Sequence, residues 1–343
     1  MSRGLDVRRG CVDMSHGAGG RAMVQLVREI FLHAFDNPLL RQGNDQAAFE
    51  VPGGTMVMST DGYVVSPLFF PGGDIGSLAV HGTINDLAMA GARPLHLSAA
   101  FIIEEGFALA DLQRIAQSMG EAARRAGVTV VTGDTKVVER GKADGLFICT
   151  TGVGVVAPGL RLSGDQARPG DAILVSGTIG DHGVAVMSRR ENLEFETQIV
   201  SDSAALHELV AAMVAAAPQG LRLLRDPTRG GLAATLNEIA HQSGVGMLLR
   251  EEAIPVLPQV AAACELLGLD PLNVANEGKL IAVVAAADAD AVLEAMHAHP
   301  LGARAARIGE ILEDTRQFVQ MATSFGGRRM VDWLAGEQLP RIC

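Results

Sequence analysis

The chain has 343 residues, 48% of them hydrophobic and 20% charged, enough length for two ordinary domains and enough apolar material to bury a core in each. A formal net charge of −11 excludes the clustered Lys and Arg that a nucleic-acid backbone demands, but it leaves room for a nucleotide held by backbone N–H groups and a metal. Four scattered cysteines without a C-x-x-C pair argue against structural zinc or a disulfide framework and predict a reducing cytoplasm, and neither a signal peptide nor a membrane span is expected.

Apolar residues at helical spacing (Met23, Leu26, Val27, Ile30, Phe31) predict a helix over 19–35. A β-type run at 55–60 is expected to end at Asp61-Gly62. A helix over 74–90 is stopped by Gly91-Ala92-Arg93-Pro94, a strand follows at 95–103, and a helix over 109–126 ends at Gly127. Strands are predicted at 128–131, closing on Gly133-Asp134, and at 146–156. The loop-rich segment 158–169 marks a domain boundary. Beyond it come a strand at 171–176, helices at 203–217, 230–241 and 259–267, and a strand at 280–285. The stretch from Phe325 breaks regular structure, offers one helical turn at 330–334, and ends in a Gly- and Pro-punctuated tail expected to be mobile. The resulting expectation is an α/β fold in units 1–158 and 169–324, with a flexible tail over 325–343.

Several motifs carry chemistry. Ser15-His16-Gly17-Ala18-Gly19-Gly20-Arg21 stands just before a helix, where glycines permit close approach to an anion and free N–H groups meet it. The spacing is not that of a Walker A loop, so a phosphate-contacting loop and a plain glycine-rich helix entry both remain open. Acidic residues recur at expected turns: Asp45, Asp61 and Asp134, with Asn85-Asp86 inside an otherwise apolar helix and Asp226 before another. Singly each fits a turn or cap. As a set facing one cleft they suit magnesium shared with phosphates. Lys136 lies two residues beyond Asp134, and Glu277 precedes the strand at 280. Cys343 ends the chain, where a cysteine has little packing value and does not match the prenylation pattern, so a tethered thiol that visits more than one site is the stronger reading.

SHGAGG, STDGYVVSPLFFPGGDIGSLAVHGTINDLAMAGARP, VTGDTKVV, RDPTRGGLA, ANEGK and the terminal PRIC together resemble the HypE family of hydrogenase maturation proteins, within the superfamily of aminoimidazole ribonucleotide synthetase and selenophosphate synthetase. The resemblance spans essentially the whole chain. It implies a two-domain AIR-synthetase-like fold whose N-terminal domain binds ATP and pairs into a homodimer. It implies a carbamoyl group received on Cys343 from a HypF-type partner, ATP-dependent dehydration to a thiocyanate, and delivery of cyanide to iron on a HypC–HypD complex. By match to the family motifs, Asp45, Asp61, Asn85, Asp86 and Asp134 hold Mg–ATP with Asp226 beside them. Metal contact falls to Asp45, Asp61, Asp86 and Asp134. His16, Gly17, Gly19 and Gly20 cover the phosphates or the arriving tail. Lys136 and Glu277 stand nearest the thiocarboxamide, and either could take the proton. A synthetase acting on a free small molecule such as selenide is the second reading, weakened because Cys11 precedes the glycines. A pure scaffold would leave the Asp set and Lys136 without purpose.

Overall fold

A computed structural model describes residues 5–17, 21–42, 51, 53–193, 199–332 and 341–343. The N-terminal half opens with a 3-10 turn at Met14–Gly17 and a helical stretch made of α1 (Arg21–Leu26), a π turn (Val27–Phe31) and α2 (Leu32–Phe35). Then come β1 (Thr55–Tyr63), the short hairpin β2 (Phe69–Phe70) and β3 (Gly73–Asp74), α3 (Ile75–Met89), β4 (Ala92–Glu104), α4 (Leu109–Arg125), β5 (Thr129–Val138) and β6 (Leu146–Val156). Four of these strands form a sheet in the order β1-β6-β4-β5, antiparallel except for the β4–β5 pair. Alternation sets its faces. Tyr63, Leu97, Ala99, Phe101 and Ile148 are buried toward α3 and α4, while Met56, Met58 and Ile102 are exposed on the other side. The Asp74 side chain and Ser77 cap α3 reciprocally. The helix is apolar nearly all round because it is buried on nearly all sides, and a Cβ at Gly82 would overlap the Tyr63 hydroxyl.

The C-terminal half contains β7 (Ala172–Val175), α5 (Asp181–Arg190), α6 (His207–Ala216), β8 (Leu221–Arg225), α7 (Gly231–Ser243), β9 (Gly246–Arg250), α8 (Pro258–Leu267), β10 (Ile281–Val284), α9 (Ala289–His297), β11 (Ala306–Leu312), β12 (Val319–Ala322) and β13 (Arg328–Met330). Its strands pair in the order β13-β12-β9-β11-β7-β10-β8. Ile173, Val175, Ile281 and Val283 pack with α7 residues on one face, and Ala172, Leu174, Ala282 and Val284 pack with α6 and α9 residues on the other. Burial on both faces explains why β7 and β10 read as unbroken apolar runs.

Three expectations need correction. Asp61 and Asp134 do not end strands. β1 stays paired with β6 through Asp61↔Thr150 and Tyr63↔Ile148, and β5 stays paired with β4 out to Val138, so both acids are mid-strand. The segment after Phe325 is not a simple break, because Gly326, at φ 85°, turns the chain into a hairpin and Arg328–Met330 adds a strand; the end of the helical turn expected at 330–334 lies outside the described residues.

Candidate active site

Side chains of β1 and α3 meet loops of the C-terminal half at an acid-lined cleft. Ser59, Asp61 and Tyr63 alternate onto the buried face of β1, which α3 covers. Ser59 donates its hydroxyl to Asp86, and Tyr63 donates to Asp61 Oδ2 at 3.2 Å while contacting Thr83 Oγ1 at 3.3 Å. Asp226, after β8, completes the group. Burial raises the proton affinity of all three acids. For Asp226 burial is joined by repulsion from Asp86 and Asp61, and its carboxyl is pushed up to about 7.

Asn85 is the bracket between the halves. Its Nδ2 donates to the carbonyls of Ala204 at 3.0 Å and Glu277 at 3.1 Å, and its Oδ1 accepts from Leu206 N–H at 2.8 Å. The buried amide inside an apolar helix is thereby satisfied by backbone, with both Nδ2 hydrogens engaged. Glu277 is held on this bracket and by Asp202, which accepts its N–H at 3.1 Å. The Glu277 side chain is 3% exposed, and its Oε1 has no hydrogen-bond partner among the described residues. Burial first, then the charges of Asp226, Asp202, Asp61 and Asp86, raise its proton affinity well above the carboxylate range.

Residues 341–343 dock on the segment after β1. Val64 N–H donates to Cys343 O at 3.2 Å and Ser66 N–H to Arg341 O at 3.1 Å, in the manner of an added strand. Ile342 is 2% exposed inside the N-terminal core, and Cys343 packs against that core. Val64 follows Asp61 by three residues, at most ~11 Å of backbone. The tail therefore docks on the segment that directly follows the strand carrying Asp61.

The remaining candidates lie elsewhere in one chain. Asp134 and Lys136 alternate with buried Thr135 onto the exposed face of β5, at the opposite edge of the sheet from β1. Lys136 Nζ meets Asp134 Oδ2 at 2.7 Å. The 3-10 turn holding His16 and Gly17 packs near β5 as well, and His16 is fixed by Asp13, whose Oδ1 is 3.1 Å from its Nδ1. So Asp61, Asn85, Asp86, Asp226 and Glu277 come together and the tail with Cys343 docks after β1, whereas Asp134 and Lys136 lie on the exposed sheet face and the turn with His16 and Gly17 packs near the same strand, β5. Asp45, Gly19 and Gly20 lie outside the described residues.

Both halves match family models, residues 43–156 the N-terminal domain and 168–322 the C-terminal domain of AIR synthase related protein. Carbamoyl dehydratase HypE of Rhizobium leguminosarum bv. viciae is 73% identical across 99% of this chain and 97% of its own length. The chain belongs to the HypE family. A crystal structure of hydrogenase maturation protein HypE in complex with ATP superimposes with a TM-score of 0.93 at 50% identity, covering 96% of this chain and 99% of that one. HypE from a HypE–HypF complex gives 0.80 at 50% identity over 90% of this chain and 99% of its own. The expected family and two-domain AIR-synthetase-like fold are therefore correct, and the chain is an enzyme of the carbamoyl dehydratase class.

The acids suit a hard cation. Among the described residues no three Asp, Glu, His or Cys side chains form a closed metal cage. Magnesium asks for less, since it is commonly held by one or two carboxylates with waters and substrate phosphates. Asp61, Asp86 and Asp226 are oxygen donors whose proton affinity burial raises although Arg229 acts on the first and Arg225 on the other two. Sequence reasoning missed Tyr63, Ser59 and Asp202, which hold these acids in place. Ser59 and Tyr63 were within reach, because strand alternation puts them on the same face as Asp61.

Proposed function

We propose that this chain dehydrates a carbamoyl group carried on its own Cys343 to a thiocyanate at the expense of ATP, and so supplies the cyanide ligand of a [NiFe]-hydrogenase iron. The observation that carries this reading is the docking of the Cys343 tail on the segment that follows the acid-bearing strand β1, in a chain of the HypE family. An amide oxygen is a poor leaving group. Attack of the carboxamide oxygen on the γ-phosphorus of ATP releases ADP and one N–H proton, leaving an imidate phosphate. Removal of the second N–H proton and cleavage of the C–O bond release phosphate and form S–C≡N, so the oxygen leaves on phosphate and no oxidant is needed.

Asp61, Asp86 and Asp226 would hold the magnesium that accompanies ATP, with Asp45 expected to join them. That ion neutralises charge on the transferring phosphoryl group. Glu277 is the proton acceptor within the chain. Its unpartnered buried oxygen and raised proton affinity suit a base that waits for a cation nearby before it ionises. Asn85 serves by holding Glu277 to the tail-side loops.

Lys136 joins the site through a homodimer. The same exposed sheet face carries Ile102, paired beside Lys136 and 40% exposed, and at the other edge Met56 at 59% and Met58 at 72%, a pattern that suits pairing with a second copy. The lysine meeting a given thiocarboxamide then comes from the partner copy, with Asp134 setting its direction. A HypF-type carbamoyltransferase loads Cys343, and a HypC–HypD complex receives the product, in the cytoplasm. Among the described residues no helix is long and apolar enough to cross a membrane.

The test is intact mass of the C-terminal peptide after incubation with the carbamoyltransferase, carbamoyl phosphate and ATP. A carbamoyl adduct should appear, followed by loss of one water. An adduct that persists on Cys343→Ala protein would sink the reading.

A further inference from the structure

The docked tail is gripped by its backbone, and two residues outside the acid cluster do the gripping. Arg190, near the C-terminal end of α5, donates through Nη2 to Arg341 O at 2.7 Å and through Nε and Nη2 to Ser66 O at 2.9 and 2.6 Å. One guanidinium therefore ties the tail to the loop beneath it, a use of its planar fork that lysine cannot fully reproduce. His182, on the same helix, stands 3.0 Å from Ile342 O through Nε2. A carbonyl only accepts, so Nε2 carries the hydrogen and Nδ1 accepts from Ser201 Oγ at 2.8 Å. Ser201 in turn accepts Ser203 N–H at 3.1 Å. The ring is fully buried, edge-on to Phe70 with centroids 5.4 Å apart, and burial disfavours its protonation. The tautomer and the orientation are both fixed.

We infer that Arg190 and His182 are positioning residues for the tethered thiol: they hold the carbonyls of residues 341 and 342, and so set the register in which the side chain of Cys343 meets the cleft. Arg190 and His182 hold backbone carbonyls, so these two contacts accept the thiol, its carbamoyl form and its thiocyanate alike. The inference rests on the proposed reaction only for what the position is used for. The grip itself is separable from it.

The test uses the full-length protein without ligand. The rate at which Cys343 is alkylated by iodoacetamide is followed by peptide mass, with buried Cys264 as the internal check of folding. Losing a charge-assisted hydrogen bond should raise Cys343 labelling by ~10-fold or more in Arg190→Ala, with Arg190→Lys retaining part of the protection. His182→Leu, which fills the site but donates nothing, is compared with His182→Gln, which still donates. Labelling should be faster for Leu than for Gln. In single turnover of the pre-carbamoylated chain, Arg190→Ala should convert about tenfold more slowly while half-saturation by ATP stays unchanged, and Arg190→Lys should recover part of the rate. Wild-type labelling rates in Arg190→Ala with Cys264 still protected would overturn the inference, as would equal rates for the two His182 variants. If wild type makes no thiocyanate yet the labelling differences appear, the grip stands and the reaction falls.

Discussion

Replacing Asp226 by Asn tests the electrostatic reasoning at its root. Its carboxyl titrates near 7 in the fold, against ~3.9 in an unfolded chain, because burial and then the neighbouring Asp86 and Asp61 oppose its ionisation. Between those two values the folded state binds more protons than the unfolded state. Stability contributed by this group is therefore fully present below about pH 4 and is lost as pH rises toward 7. The whole interval, taken at 1.36 kcal/mol per pH unit, would amount to about 4 kcal/mol. The side chain is only half-buried, and solvent screening reduces a realistic figure to ~1–2 kcal/mol.

The expected result is that the ligand-free protein becomes less stable from pH 5 to pH 8, and that Asp226→Asn removes a large part of that slope while gaining stability at pH 8. Chemical unfolding at several pH values reads both. Adding Mg2+ with a non-hydrolysable ATP analogue should flatten the wild-type slope, because a bound cation adds positive charge beside the acids, and should do so less in the variant. If the variant kept the wild-type slope, or if stability rose with pH through this range, the picture of buried, mutually repelling acids would be wrong.

Four further outcomes are expected. Glu277→Gln keeps the shape but removes the acceptor, so thiocyanate formation in single turnover should fall by ~10²–10⁴-fold while the carbamoyl adduct still forms. Asn85→Ala strands the buried Leu206 N–H and unties the 204–206 and 277 loops, and should lower unfolding stability by about 2–4 kcal/mol in denaturant titrations. Met58→Asp on the exposed sheet face should shift the protein from dimer to monomer in sedimentation, and unchanged mass would refute pairing through that face. Mixed dimers of Lys136→Ala and Cys343→Ala chains should recover activity that neither parent has, since the intact thiol then meets the intact lysine across the interface. Inactivity of the mixture would return Lys136 to its own chain's site.

What was legible in the sequence follows the range of the forces involved. Helices over 75–89 and 109–125 were readable because apolar spacing and stop signals are local; the Asp74–Ser77 cap of the first came only with the structure. Strand ends were not. Asp61-Gly62 and Gly133-Asp134 have the chemistry of turns, yet pairing to β6 and β4 overrides that preference. The same error hid the division of the site. Once Asp61 and Asp134 are mid-strand, alternation sends one to the buried face and the other to the exposed face, and a set of acids that looked like one cleft separates into two groups. Glu277 was visible because Asn276-Glu277-Gly278-Lys279 precedes a strand. Its bracket was not, since Asn85 finds it 192 residues away. The tail is the extreme case: the bond from Arg341 Nε to Val64 O joins residues 277 apart, and nothing local in Arg341-Ile342-Cys343 announces a partner. The two features that give Cys343 its use, a tail docked after β1 and a grip on its backbone carbonyls, therefore had to come from three dimensions, although the residue itself stood out at once.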